Sequence, residues 1–357
     1  MASSTSSGIA GRTAPASASK QGENDASARR PTLRPWQLAL RDAIRDPAEL
    51  CSLLGIDAAQ LGISTVAARD FPMLVPRGYA ARMRHGDAGD PLLRQVLPLA
   101  AELERPAGFS ADPVGDIAAE LIPGLLHKYR SRVLLVTTGA CAINCRYCFR
   151  RHYAYDELPS AAEAWASALE AIAADSSIEE VILSGGDPLT ISDARLAPLA
   201  QQVAAIEHVR RLRIHSRLPI VLPQRVDDAL LAWLSGTRLT AIMVVHANHP
   251  AELSGDVAAA LTRLAAAGVL LLNQAVLLAG VNDNVDILAE LSRRLVELRV
   301  NPYYLHQLDR VAGAGHFEVP LERGQQLVEQ LRARLPGYLV PRYVQEVPGE
   351  PAKRPLV

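Results

Sequence analysis

The chain has 357 residues, 49% of them hydrophobic and 21% charged, long enough for one large domain or two smaller ones with a buried core. Lys+Arg 37 against Asp+Glu 38 leaves a net charge of -1, which argues against a general polyanion binder, so nucleic acid is not an expected partner. No uninterrupted apolar run approaches the roughly 18–20 residues of a membrane span, and no signal peptide opens the chain, so a cytoplasmic protein is expected.

Residues 1–30, rich in Ser, Ala and Gly, read as a disordered tail. Residues 31–125 read as a helical N-terminal region broken by prolines, with helices expected at Trp36–Ile44, Pro47–Leu54 and Ala58–Ala68. Residues 126–336 show a different rhythm. Apolar runs suited to buried strands fall at Val133–Thr138, Glu180–Leu183, Leu212–His215, Ala241–His246, Leu270–Leu277 and Pro302–His306. Helical stretches alternate with them: Ser160–Ala174, Asp193–His208, Asp227–Leu234, Glu252–Ala267, Val285–Leu298 and Leu321–Leu335. Six strand–helix units with apolar strands predict an α/β fold around a parallel sheet with both faces covered, best read as a partial (βα)6 barrel. Residues 337–357 complete the chain as a C-terminal strand and loop. No Gly-x-Gly-x-x-Gly turn follows the first strand, which weighs against a nicotinamide-binding domain.

Chemistry in a parallel barrel gathers at the carboxyl ends of its strands, and the polar clusters sit there. Three of the four cysteines, Cys141, Cys145 and Cys148, follow the first strand with C-x3-C-x2-C spacing, and Ser184-Gly185-Gly186-Asp187-Pro188 follows the second. Thiolates this close can converge on one soft metal centre. Three are too few for a closed structural zinc site, but they suit a [4Fe-4S] cluster with one iron open. The plain structural alternative is three buried cysteines packed as small hydrophobes. Cys51, about ninety residues away, reads as structural.

The C-x3-C-x2-C loop followed one βα unit later by the glycine turn resembles the radical S-adenosylmethionine superfamily. That resemblance implies S-adenosyl-L-methionine on the open iron, with Ser184, Gly185, Gly186 and Asp187 near its methionine group. From about Pro35 onward the chain resembles the lysine 2,3-aminomutase family within it, through Leu126-His-Lys-Tyr-Arg-Ser-Arg132, Cys145-Arg-Tyr-Cys-Phe-Arg-Arg-His152, Arg217-Leu-Pro-Ile-Val-Leu-Pro-Gln-Arg225, His246-Ala-Asn-His-Pro250, Asn273–Asp283 and Pro302–Asp309. Family members hold pyridoxal 5'-phosphate on a lysine. The chain has three lysines: Lys20 in the tail, Lys128, and Lys353 in the loop Pro348-Gly-Glu-Pro-Ala-Lys353, where the family's Schiff-base lysine falls. By the same resemblance Lys128 and Arg132 contact the cofactor phosphate, Arg150 pairs with the substrate carboxylate, and Asp309 with Glu346 receives the far ammonium of L-lysine. Gln274 and His246 are candidate contacts to the adenosyl ligand or pyridoxal. His152, His249 and His306 are as compatible with positioning as with acid–base work.

The implied reaction is an isomerisation of L-α-lysine to (R)-β-lysine. Glu346 where the free-lysine mutases carry Asp, Lys128 where they carry Arg, and Ala279 where an Arg is expected are departures. The chain ends four residues past Lys353 without the zinc-binding cysteines of the longer enzymes. With Phe71–Pro76, Asp90–Leu97 and Asp112–Asp116, it resembles the branch that supplies β-lysine for elongation factor P, which implies a functional link to a β-lysine ligase and to that factor. A flavodoxin or ferredoxin is the kind of electron donor implied, and a homo-oligomer is possible. Free β-lysine as a metabolite, an aminomutase for another amino acid such as glutamate, a non-catalytic iron–sulfur redox sensor and, weakest, a zinc protein remain open at this stage.

Overall fold

The computed structural model describes residues 33–158 and 161–357; the expected tail and the start of the helix expected from Ser160 lie outside the described residues. Arg34–Val357 forms one compact unit.

Ten strands form one mixed sheet in sequence order: β1 Glu120–Ile122, β2 Leu125–Tyr129, β3 Arg132–Thr138, β4 Glu180–Gly185, β5 Arg211–Ser216, β6 Thr240–Val245, β7 Leu270–Val276, β8 Asn301–His306, β9 Arg342–Gln345 and β10 Arg354–Pro355. Neighbours from β3 to β9 pair in parallel, whereas β1, β2 and β10 add antiparallel edges. The helices are α1 Pro35–Arg41, α2 Pro47–Leu54, α3 Thr65–Asp70, α4 Arg77–Ala80, α5 Pro91–Arg94, α6 Ala161–Ala174, α7 Asp193–Ala205, α8 Leu218–Val221, α9 Asp228–Ser235, α10 Asp256–Ala266, α11 Val285–Glu297 and α12 Leu321–Arg334. Helices α6 to α12 connect the parallel strands, as the alternating periodicity predicts.

Two expected helices start elsewhere. Ala58–Ala68 is not one helix: Gly62 at φ 63° ends a short 3-10 turn, and the Ser64 hydroxyl then caps α3 by accepting from the Ala67 amide at 3.1 Å. The helix expected from Glu252 begins at Asp256, because Pro250–Glu252 forms a 3-10 turn and Gly255 takes φ 53°. Cys51 sits in the core at 1% exposure, as a small hydrophobe.

The expectation of two covered faces holds along β4 and β6, which are buried on both sides, but not along β5 and β7. Along β5, Leu212 and Ile214 are buried, while Arg213 and His215 line a cavity. Along β7, Leu271, Asn273 and Ala275 are buried, while Gln274 and Val276 face that cavity. One face packs on helices and the other is free to carry chemistry.

Candidate functional site

The cavity, of about 410 Å3, is lined by every site residue expected from the sequence: Cys141, Cys145, Cys148, Arg150, Ser184, Gly185, Gly186, Asp187, His246, Gln274, Asp309, Lys128, Arg132, Glu346 and Lys353. His306 also lines it, but His152 and His249 do not: His152 reaches the Ala312 carbonyl, and His249 Nδ1 accepts from the Ala251 amide.

The cysteine loop leaves β3 and is held by protein bonds along its length. The amides of Gly186 and Asp187 donate to the carbonyls of Thr138 at 2.6 Å and Ala140 at 2.8 Å. The Arg146 amide donates to the Gln95 carbonyl at 2.9 Å, and Asn144 Nδ2 to that of Pro72 at 2.8 Å. The glycine turn follows from this docking. A Cβ on Gly186 would stand 2.4 Å from the Ala140 oxygen, and one on Gly185, which is at φ 113°, would stand 2.6 Å from the Thr138 oxygen. Only residues without a side chain let β4 approach the loop so closely. Asp187 is buried, and its carboxylate accepts from Ser216 Oγ at 2.8 Å and from the amides of Leu189, Arg217 and Leu218, fixing the end of β5.

Burial and the neighbouring sulfurs raise the Cys141 thiol, and burial pushes Cys148 up to about 11. These thiols therefore do not ionise as free nucleophiles, and a bound metal would make them thiolates. Three thiols on one loop facing a cavity, with the glycine turn behind them, fit a cluster that needs three protein sulfurs.

In the same cavity Lys353 Nζ contacts Glu346 Oε2, and the Tyr129 hydroxyl donates to Glu346 Oε1 at 2.6 Å. Burial alone would raise the Glu346 carboxyl, but Lys353, Tyr129 and Lys128 hold it below the usual carboxylate range. Lys128 also reaches Asp116 at 2.6 Å, and Asp116 in turn receives Arg150 Nε at 2.6 Å. Arg150 Nη1 donates to Ser184 Oγ at 3.1 Å. Lysine and arginine thus converge around one buried carboxylate, and Arg132 lines the same cavity. The set fits a phosphate-bearing aldehyde held on Lys353: an amine for the carbonyl and two further cations for the phosphate.

Burial among Glu346 and Asp116 pushes the Asp309 carboxyl up to about 7, although Lys353 and Lys128 pull it down. Burial and the Arg217 guanidinium lower His246 to about 3, and burial with nearby cations drives His215 and His306 well down. All three are neutral at physiological pH. The buried Nε2 atoms of His215 and His246 have no protein partner, which leaves each with an unused hydrogen-bonding position.

Sequence reasoning missed Asp116 as the link between two site cations, and it missed Arg217. The latter lines the cavity with Nη1 2.7 Å from Cys145 Sγ and Nη2 on Glu252 and Gln95. Both lie in segments quoted for their resemblance, but nothing in their spacing marks their partners.

The chain is similar in sequence to several known proteins. A family described as a 4Fe-4S single cluster domain matches residues 130–213, which span the cysteine loop and the glycine turn. The L-lysine 2,3-aminomutase of Escherichia coli (strain K12) is 46% identical over 327 residues, covering 91% of this chain and 95% of that protein. That of Haemophilus influenzae is 45% identical over 318 residues, covering 89% and 94%. The enzyme of Clostridium subterminale is 35% identical, covering 90% of this chain and 77% of its own. Among solved structures, a radical SAM methyltransferase from Sphaerobacter thermophilus aligns over 62% of this chain and 68% of that one, with TM-score 0.45 and 21% identity. At such identity over nearly its whole length, the chain belongs to the radical SAM lysine 2,3-aminomutase family.

Proposed function

We propose that the protein is an L-lysine 2,3-aminomutase, an isomerase that moves the amino group of L-lysine from the α- to the β-carbon. The observation that carries this reading is that a three-cysteine loop and a cavity lysine, more than two hundred residues apart in sequence, open into the same cavity. The parallel strands β3 to β8 with their helices correspond, in this reading, to a partial (βα)6 barrel whose carboxyl ends carry the site.

Cys141, Cys145 and Cys148 hold a [4Fe-4S] cluster, the Ser184–Asp187 turn and Gln274 or His246 flank S-adenosyl-L-methionine, and Lys353 holds pyridoxal 5'-phosphate with Lys128 and Arg132 at its phosphate. Together these groups supply the one-electron chemistry that lets an amino group migrate between adjacent carbons. The chain supplies orientation. Arg150 keeps Nε on Asp116 and Nη1 on Ser184 Oγ, which leaves Nη2 for a substrate carboxylate. Asp309 and Glu346 face the substrate's distal ammonium. The three neutral histidines offer polar contacts without competing for protons.

L-Lysine and a low-potential one-electron donor such as a flavodoxin or ferredoxin are the expected partners. The narrower reading, β-lysine for a ligase acting on elongation factor P in the cytoplasm, is supported by the Phe71–Pro76 and Asp112–Asp116 segments, which reach the cavity through Phe71 and Asp116. Four free cysteines suit that reducing compartment.

The test is an anaerobic assay of iron-reconstituted protein with pyridoxal 5'-phosphate, S-adenosylmethionine, dithionite and L-lysine. β-Lysine is read by mass spectrometry beside Lys353→Ala. β-Lysine from the wild type alone supports the reading, and deoxyadenosine without β-lysine assigns a different substrate. Elongation factor P that stays β-lysylated in a strain lacking this gene would overturn the narrower role.

A further inference from the structure

Arg217 follows β5 directly, 72 residues from Cys145. Its side chain is 6% exposed, and its neighbours Glu252 and Gln95 are fully buried. Nη1 donates to Cys145 Sγ at 2.7 Å, while Nη2 faces Glu252 Oε2 at 2.9 Å and Gln95 Oε1 at 2.7 Å. Glu252 is itself fixed from behind, with Oε1 accepting from the amides of Asn248 at 2.9 Å and His249 at 3.1 Å. Asn248 Nδ2 bonds Gln95 Oε1 at 3.0 Å, which orients the glutamine carbonyl toward the arginine. A buried guanidinium is costly unless its charge is balanced and its donors are placed. Here the balancing carboxylate lies on Nη2 and a loop sulfur on Nη1, while Nε is buried without a partner. Among the described residues, Cys145 is the one loop thiol that receives a hydrogen bond from a charged side chain.

We propose that Arg217 is a positioning residue that sets the redox poise of the cluster: its charged N–H on the Cys145 sulfur favours the reduced cluster over the oxidised one. The inference rests on the reading that the three cysteines hold a [4Fe-4S] cluster. One electron enters the cluster from a low-potential donor, and no proton accompanies it, because an arginine never gives one up. The added negative charge spreads onto the sulfurs, so a charged donor bond there strengthens on reduction. Glu252 stands beyond the other nitrogen and offsets the guanidinium only in part at the sulfur. Its task is to hold the guanidinium plane.

The experiment is an electron paramagnetic resonance redox titration of full-length, anaerobically reconstituted holoprotein, with iron per chain measured in each sample. Arg217→Lys keeps the charge but cannot span both partners. The double variant Arg217→Gln/Glu252→Gln removes both charges, so neither is left buried alone. At the potential where half of the wild-type cluster is reduced, the reduced-to-oxidised ratio in the double variant falls about tenfold, equivalent to about 59 mV for one electron. Arg217→Lys lies between the two. Equal iron with an unshifted half-reduction potential overturns the proposal.

If the variants fail to hold iron, wild-type protein grown on 15N-arginine decides. Electron–nuclear double resonance of its reduced cluster shows an arginine nitrogen coupled to the cluster, and absence of that coupling overturns the proposal. A wild-type protein that forms no four-iron cluster overturns the functional reading and this one with it, an outcome distinct from a cluster whose potential does not move.

Discussion

Asp309→Asn tests the electrostatics of the substrate pocket most directly. The Asp309 carboxyl is pushed from an ordinary value near 3.8 up to about 7, chiefly by burial. A shift of about three units makes the ionised form cost at most about 4 kcal/mol in the ligand-free protein. The unfolded chain loses this proton near pH 4 while the folded chain keeps it to about pH 7. The wild type therefore loses stability as pH rises between those values, and the asparagine variant does not. Denaturant melts should show a variant more stable by up to about 4 kcal/mol above pH 7, with the difference vanishing below pH 4. Catalysis should move the other way. On the proposal that Asp309 receives the substrate ammonium, lysine binds the carboxylate form, so the wild-type KM for lysine should rise about tenfold per pH unit below pH 7. The variant should lose that dependence and, lacking a charged hydrogen bond of about 1.5–3 kcal/mol, show a KM roughly 10- to 150-fold higher above pH 7. A wild-type KM that is flat from pH 6 to 8, or a variant with wild-type KM, would refute the reasoning.

Gly186→Ala places a methyl 2.4 Å from the Ala140 oxygen, where backbone must move, so the cysteine loop should shift. We expect a stability loss of about 1–3 kcal/mol in urea melts and less iron per chain after reconstitution. Asp116→Asn removes the carboxylate shared by Lys128 and Arg150. Lysine KM should rise and pyridoxal 5'-phosphate should wash out faster in a gel-filtration assay, both by about tenfold or more, since an unpaired buried cation costs about 3–5 kcal/mol. Unchanged cofactor retention would show that Lys128 needs no help from Asp116.

The sequence is most legible where function is local. The C-x3-C-x2-C loop, the glycine turn one unit later and Lys353 among three lysines each carry their signal within a few residues, and alternating periodicity gives the strand–helix order. The reason for the glycines is not legible. Their Cβ positions are filled by the backbone of the cysteine loop, so they serve protein docking as well as any ligand. Arg217, Glu252, Gln95 and Asn248 look like ordinary polar residues in sequence, since the side-chain bonds that join them to one another span 35 to 157 residues. Asp116 resembles a loop acid until the fold brings two cations to it. Strands β1 and β10, of three and two residues, are too short to show a period, and β2 carries His127 and Lys128 where a buried strand would continue its apolar run.

The protein bonds on the cysteine loop bear on where damage to the site can begin. The loop is tied to the Gly186–Asp187 turn, to Leu74 and Pro72 and to Gln95, so three separate stretches of chain set its path. A substitution more than forty residues from any loop cysteine, at the end of the 71–76 stretch or beside Gln95, therefore displaces the thiols without altering one of them, and a screen confined to the cysteines would overlook it.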